Sequence, residues 1–188
     1  MDMTAELVIQ VPADGVWTWD DLQAIPDEAH HHYELIEGQI LRSPSPDLRH
    51  QDCVFNLAIA LRSTSPRDLK VVVSPFDFVP EPGTALQPDV LVIRRGTAEE
   101  KRTVAPPVLA VEVLSPSSRT TDRVLKRQLY ARFGVEHYWI VDPAVPSIVA
   151  LRLSGDEYVE VGGSECALEF VAAEPFEVRI TPAALIES

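Results

Sequence analysis

Cysteine is scarce in this chain of 188 residues: only Cys53 and Cys166 occur, at no metal-ligand or redox spacing. That excludes a disulfide framework and a thiolate metal site. A chain of this length buries roughly 70% of its unfolded surface, so it folds without such staples. Long apolar runs are also missing. The longest are strand-sized, such as Val71-Val72-Val73 and Val108 to Val111, far short of the roughly 20 residues of a membrane helix. Internal repeats and low-complexity tracts are absent, and the 16 prolines are scattered as turn markers. Positive charge is in short supply: 16 Lys and Arg face 29 Asp and Glu, a net charge of −13. Such a balance excludes a generic polybasic binder of nucleic acid or membrane surfaces. The first residues carry acids where a secretory leader needs bases, and no apolar core segment follows. A cytoplasmic location with no membrane partner is therefore expected.

What is present is the composition of a soluble globular protein, 46% hydrophobic and 24% charged. One domain over residues 1–188 is expected. The charge is unevenly spread. Between residues 101 and 140, seven bases outnumber three acids, whereas the flanking regions are acidic. A solvated helix face is the simplest account of that stretch, and a phosphate-facing surface the more interesting one.

Periodicity divides the chain into short strands and two principal helices. Thr18 or Asp20 caps a short helix. Tyr33 to Leu41 forms a hairpin turning at Glu37-Gly38. Asp47 caps a helix running to about Ser63, with Val54, Leu57, Ala58 and Leu61 on one face and His50 on that same inward face. Strands are expected at Leu69 to Val73, Phe76 to Val79, Asp89 to Ile93 and Val108 to Leu114. A second helix, capped by Thr121 or Thr120, runs through Phe133 to a stop at Gly134, with Leu125, Leu129 and Phe133 as its buried stripe. His137 to Val141 is a strand, Ser147 to Leu153 and Glu157 to Val161 form a terminal hairpin, and Glu177 to Ile180 is a last strand. The strand–helix–strand run from Val108 to Val141 requires a right-handed crossover and parallel pairing. The fold class is α/β, with a mixed central sheet flanked by helices and antiparallel hairpins at its edges.

Two acids stand where acids are expensive. Asp89 opens the apolar strand Asp89-Val90-Leu91-Val92-Ile93, and Glu112 interrupts Leu109-Ala110-Val111-Glu112-Val113-Leu114. An ionised carboxylate on a buried strand needs an arginine, a backbone cap or a metal. If the strands are neighbours, both acids reach one edge of the sheet, and paired oxygen ligands suit Mg²⁺. On the helix that follows, Asp122, Lys126 and Tyr130 form a row offset from the apolar stripe, expected to face the sheet edge. An Asp122–Lys126 surface pair is the bland alternative. The run His30-His31-His32 cannot turn all three rings to one ion in regular structure, and is expected to be a polar loop.

The pieces Tyr33-Glu34-Leu35-Ile36-Glu37-Gly38, His50-Gln51, Gln87-Pro88-Asp89-Val90, Val111-Glu112-Val113-Leu114-Ser115-Pro116-Ser117-Ser118, Asp122, Lys126, Tyr130 and Gly134-Val135-Glu136-His137-Tyr138-Trp139-Ile140-Val141-Asp142-Pro143 occur in that order. Together they resemble the Uma2 family (DUF820) of restriction endonucleases, within the PD-(D/E)XK nuclease superfamily. The resemblance covers about residue 18 to residue 160, leaving residues 1–17 and 162–188 peripheral. It implies a restriction endonuclease-like fold and a Mg²⁺- or Mn²⁺-dependent endonuclease hydrolysing DNA phosphodiester bonds.

By the same resemblance, Asp89 and Glu112 are metal ligands with the Val113 carbonyl, Glu34 completes the site, and His50 lies close to it. The superfamily lysine two residues after the glutamate is Leu114 here, and Lys126 takes the matching role from the helix. That departure leaves a second reading open, a catalytically weak or inactive nuclease-fold module that binds or regulates. The strand holding Tyr138 and Trp139 and the terminal hairpin are candidates for homodimer pairing, with ordinary core aromatics the simpler account of both rings. With so acidic a chain, DNA binding is expected to be salt-sensitive or to need a recruiting protein.

Overall fold

The computed structural model describes residue 12, residues 15–25 and residues 31–187. A six-stranded mixed sheet forms its centre. It is built from β3 (Leu69–Val73), β6 (Val90–Arg94), β8 (Leu109–Val113), β9 (His137–Asp142), β10 (Ser147–Ser154) and β11 (Glu157–Glu165), in the order β11-β10-β9-β8-β6-β3. Only β8 and β9 run parallel, joined by the expected crossover, with Glu112 level with Ile140. β6 and β8 are antiparallel neighbours, Val90 opposite Val111. That register brings Asp89, just before β6, to the end of β8 that carries Glu112.

Alternation decides what each face of this sheet covers. Val90, Val92, Val111 and Val113 pack against Cys53, Leu57 and Leu61 of α2 (Leu48–Thr64). Leu91, Ile93, Ala110 and Leu114 face the other way, toward Leu129 and Tyr130 of α3 (Arg127–Arg132). Burial on both faces is why β6 and β8 read as continuous apolar runs. Glu112 shares the α3 side with Ala110 and Leu114, so its carboxyl points at the crossover helix.

A second sheet has the order β2-β1-β5-β4-β7, from β1 (His31–Ile36), β2 (Gln39–Pro44), β4 (Asp77–Glu81), β5 (Thr84–Leu86) and β7 (Arg102–Thr103). The hairpin turns as expected at Glu37 and Gly38, whose φ values of 50 and 78° make a left-handed pair. A Cβ at Gly38 would also meet Val16 Cγ1 at 2.6 Å. β5 and β7 have no counterpart in the periodicity, being two or three residues long. His31 and His32 begin β1 rather than lying in a loop, and His30 lies outside the described residues.

α1 (Trp19–Gln23) carries a capping box between Thr18 and Asp21, and Asp47 caps α2 by accepting from the His50 N–H. The second main helix departs from expectation. It opens as a wide π turn over Thr121–Lys126, and neither threonine makes a side-chain cap there; Ser115 and Ser118 instead exchange hydrogen bonds at its entrance. Residues 162–187, in the stretch expected to be peripheral, add β12 (Phe170–Ala172), β13 (Val178–Ile180) and a 3₁₀ turn at Pro182–Leu185. They bury Phe170, Phe176, Val178 and Ile180 against the α2 side of the sheet. Tyr138 and Trp139 are core residues, not an interface: Trp139 meets Phe170 edge-on at 5.1 Å. Among the described residues no helix is long and apolar enough to cross a membrane.

Leu57 is wholly buried between α2 and the sheet. Leu57→Ala is expected to lower unfolding free energy by about 2–5 kcal/mol in urea denaturation. A loss below about 1 kcal/mol would contradict this account of the core.

Candidate functional site

Three carboxylates from three elements converge on one ammonium. Lys126 Nζ lies 2.9 Å from Glu34 Oε2, 3.0 Å from Glu112 Oε1 and 3.5 Å from Asp122 Oδ1. Glu34 comes from β1, Glu112 from β8 and Asp122 from the π turn. Tyr130 O–H donates to the same Glu112 oxygen at 2.6 Å, and the Gln87 N–H donates to Glu34 Oε1 at 2.7 Å. All four charged groups are buried.

The row Asp122, Lys126, Tyr130 faces the sheet, as expected, but lies deeper than its edge; of the expected apolar stripe Leu129 is buried and Phe133 half-buried, and Leu125 alone turns outward. Leu125 is exposed while Asp122, Lys126 and Tyr130 face inward. The polar row is the buried one because Glu34 and Glu112 would otherwise be desolvated without a counter-ion, which costs far more than exposing one leucine.

One cation among three buried carboxylates leaves a surplus of negative charge. Burial pushes Glu112 well above the ordinary carboxylate range, against the opposing pull of Lys126. Burial raises Asp122 as well. Burial alone would lower Lys126, but Glu112, Glu34 and Asp122 outweigh it and hold the ammonium well above its usual value. Lys126 therefore stays charged. Asp122 Oδ1 is buried and lacks a hydrogen-bond partner among the described residues.

Asp89 sits at the rim of this cluster, more exposed than the rest. Its Oδ2 accepts from the Val113 N–H at 2.8 Å, and His50 Nε2 stands 3.3 Å away. The same His50 nitrogen donates to the Val113 carbonyl at 2.9 Å. Burial would lower His50, but the hydrogen bond and charge of Asp89 outweigh it, so its pKa is raised. Glu34, Glu112 and Lys126 thus form one contact group and His50, Asp89 and Val113 a second, adjoining through the Glu112–Val113 peptide bond.

A polar chain that sequence reasoning missed supports it. The Gln87 side chain donates to Asp77 Oδ1 at 2.9 Å, and its carbonyl meets Ser74 Oγ at 3.1 Å and His32 Nδ1 at 2.9 Å. Asp77 in turn accepts from the Trp19 indole at 2.8 Å, and Arg102 stacks over that ring at 4.1 Å. The signal for it was Asp77 among the apolar residues of β4, an acid that is now buried and hydrogen-bonded.

The basic stretch from 101 to 140 does not form one free surface. Arg119 grips Asp142 at 2.6 and 3.1 Å, Arg132 reaches Glu37 at 2.7 Å, Arg102 pairs with Glu99 at 2.7 Å and Arg127 donates to the Tyr158 carbonyl. Lys126 is the buried ion. The local excess of bases is largely consumed by partners spread over several faces.

A mixed sheet with acids at one edge and a lysine from the crossover helix defines a nuclease-like α/β fold. The chain belongs to the Uma2 family, whose model, described as "Putative restriction endonuclease", matches residues 19–181. The fold is similar to that of a crystal structure described as a "putative nuclease belonging to DUF820" from Anabaena variabilis. That similarity has a TM-score of 0.69 and 18% identity, and covers 90% of this chain and 97% of the other. No curated protein matches the chain in sequence.

Lys126→Met would leave Glu34, Glu112 and Asp122 without their cation. For Glu112 and Asp122 the folded pKa already lies above the unfolded value, so their stabilisation is full at low pH and is lost as pH rises through the folded values. Removing Lys126 raises those values further. The variant is expected to lose about 3–5 kcal/mol at neutral pH and distinctly less near pH 5. Denaturation midpoints across that interval check it; an equal loss at both ends would be the wrong result.

Proposed function

We propose that the chain is a divalent-metal-dependent endonuclease hydrolysing DNA phosphodiester bonds, acting in the cytoplasm as one domain over residues 1–188. Membership of an endonuclease family supports the reaction class. The observation that carries the site assignment is the contact set joining Lys126 to Glu112 and Glu34, beside Asp89 on the Val113 amide.

The donor chemistry suits a hard cation. Asp89, Glu112, the Val113 carbonyl and Glu34 offer oxygens only, and Asp122 Oδ1, which makes no hydrogen bond among the described residues and lies 3.5 Å from Lys126 Nζ, adds a further acceptor. Among the described residues no group of three or more His, Cys, Asp or Glu side chains stands ready to hold a metal ion. The reading therefore rests on the Asp89–Glu112 pair with the Val113 carbonyl, and Mg²⁺ takes one or two carboxylates while keeping its waters. Mg²⁺ or Mn²⁺ bound there supplies a lowered water pKa and neutralises phosphate charge. Lys126 orients the Glu112 carboxylate and keeps a fixed positive charge beside it, in a dry setting where such charge acts strongly. Glu34 anchors Lys126 to the Gln87 backbone. His50 holds Asp89 and the Val113 carbonyl in place.

The alternative is a nuclease-fold module that binds DNA or a recruiting protein without cutting. It is favoured by Leu114 at the superfamily's lysine position and by the complete burial of Lys126. Nicking of supercoiled plasmid with Mn²⁺, over a range of salt, separates the two. Wild type is expected to cut, and Asp89→Ala and Glu112→Gln to lose at least about a hundredfold in rate. Calorimetry should show Mn²⁺ binding that Asp89→Ala abolishes. Absence of both cleavage and metal binding in the wild type would leave the binding-module reading.

A further inference from the structure

Helix α2 has two apolar faces. His50, Cys53, Leu57 and Leu61 face inward. On the opposite side Leu48, Phe55 and Ile59 lie in line and are 75%, 66% and 52% exposed. A helix that only covers a sheet carries polar residues there. The stripe is flanked by Asp52 and Arg62, and neither has an ion-pair or hydrogen-bonding side-chain partner among the described residues.

We propose that this face is a homodimer interface, with α2 packed antiparallel against α2 of a second copy across a two-fold axis level with Leu57. Positions 52, 55, 59 and 62 have the 3-4-3 spacing of a coiled-coil seam, and that spacing is symmetric about position 57. Antiparallel pairing sets Phe55 beside Ile59 of the second copy and Asp52 beside its Arg62, and each contact occurs twice, as a two-fold interface requires. Parallel pairing would oppose Asp52 to Asp52 and Arg62 to Arg62, so charge selects the antiparallel arrangement.

The terminal hairpin is a poorer candidate. β11 exposes Val159 and Val161, but pairing with itself antiparallel about Val161 opposes Glu157 to Glu165, a like-charge contact. The α2 pairing sets the two candidate sites toward opposite ends of the seam: the two His50 residues lie about 21 Å apart along its axis at about 1.5 Å per residue.

Sedimentation velocity of the full chain over roughly a hundredfold range of concentration tests this. The sedimenting mass is expected to rise from the 20.8 kDa monomer to twice that value. Phe55→Glu is expected to remain monomeric throughout. Asp52→Arg and Arg62→Asp should each weaken association at least about tenfold, and the two together should restore it to within about threefold of wild type. These positions are exposed or half-buried, and circular dichroism verifies that each variant folds. A wild type that stays monomeric, a dimer that survives Phe55→Glu, or a double reversal no tighter than the single ones would overturn the proposal.

Discussion

The buried ammonium of Lys126 is the constraint on which the rest of the structure depends. Each ion moved out of water costs several kcal/mol even after relaxation, and here one lysine and three acids are moved together. None could be buried alone. Glu34 arrives on a hairpin, Glu112 on a central strand and Asp122 on the crossover helix, so the charge cluster ties three elements of distant sequence into one arrangement. The π turn at Thr121–Lys126 belongs to the same constraint: such turns recur at functional sites, and this one carries Asp122 and Lys126 on its inward side.

Around that ion the polar groups fall into two tiers. Lys126, Glu112, Asp122 and Tyr130 form a dry interior whose geometry is fixed by short contacts. Asp89 and His50 form the rim, held to each other and to both backbone groups of Val113. The interior tier sets the direction of the Glu112 carboxylate, and within the rim tier Asp89 is the more exposed group. A site of this construction is preorganised, because its charged groups already have fixed partners before any ligand arrives.

The acids of this site were legible in the sequence because their cost was. Asp89 and Glu112 interrupt strands that otherwise read as continuous apolar runs, and such interruptions need a physical reason. The row Asp122, Lys126, Tyr130 was legible as a row and in its direction toward the sheet, but not in the depth of its burial. Hydrophobic periodicity assigns Leu125 to the core, and only knowledge that Glu34 and Glu112 lie opposite makes the charged row the deeply buried one. Tertiary electrostatics overrides local pattern there. β5, β7 and β12 were invisible for another reason: two or three residues are too few to show a period, and their partners lie far away along the chain. The excess of bases between 101 and 140 misleads in the same way. A sum of charges along the sequence says nothing of Arg119 meeting Asp142 or Arg132 meeting Glu37.

Pairing of those arginines bears on how a polyanion could approach so acidic a molecule. Salt bridges between exposed partners are weak, typically below about 1 kcal/mol, so an arginine such as Arg132 can exchange a carboxylate for a phosphate at little cost. The Arg119–Asp142 pair is different: Asp142 is buried and also accepts from the Ala144 and Val145 amides, and releasing Arg119 would strand a desolvated carboxylate. Basic residues near the site therefore divide into those free to change partner and those held by a buried acid. Counting charge on the surface overstates what is available to a phosphate, and the discriminating quantity is the burial of each arginine's present partner.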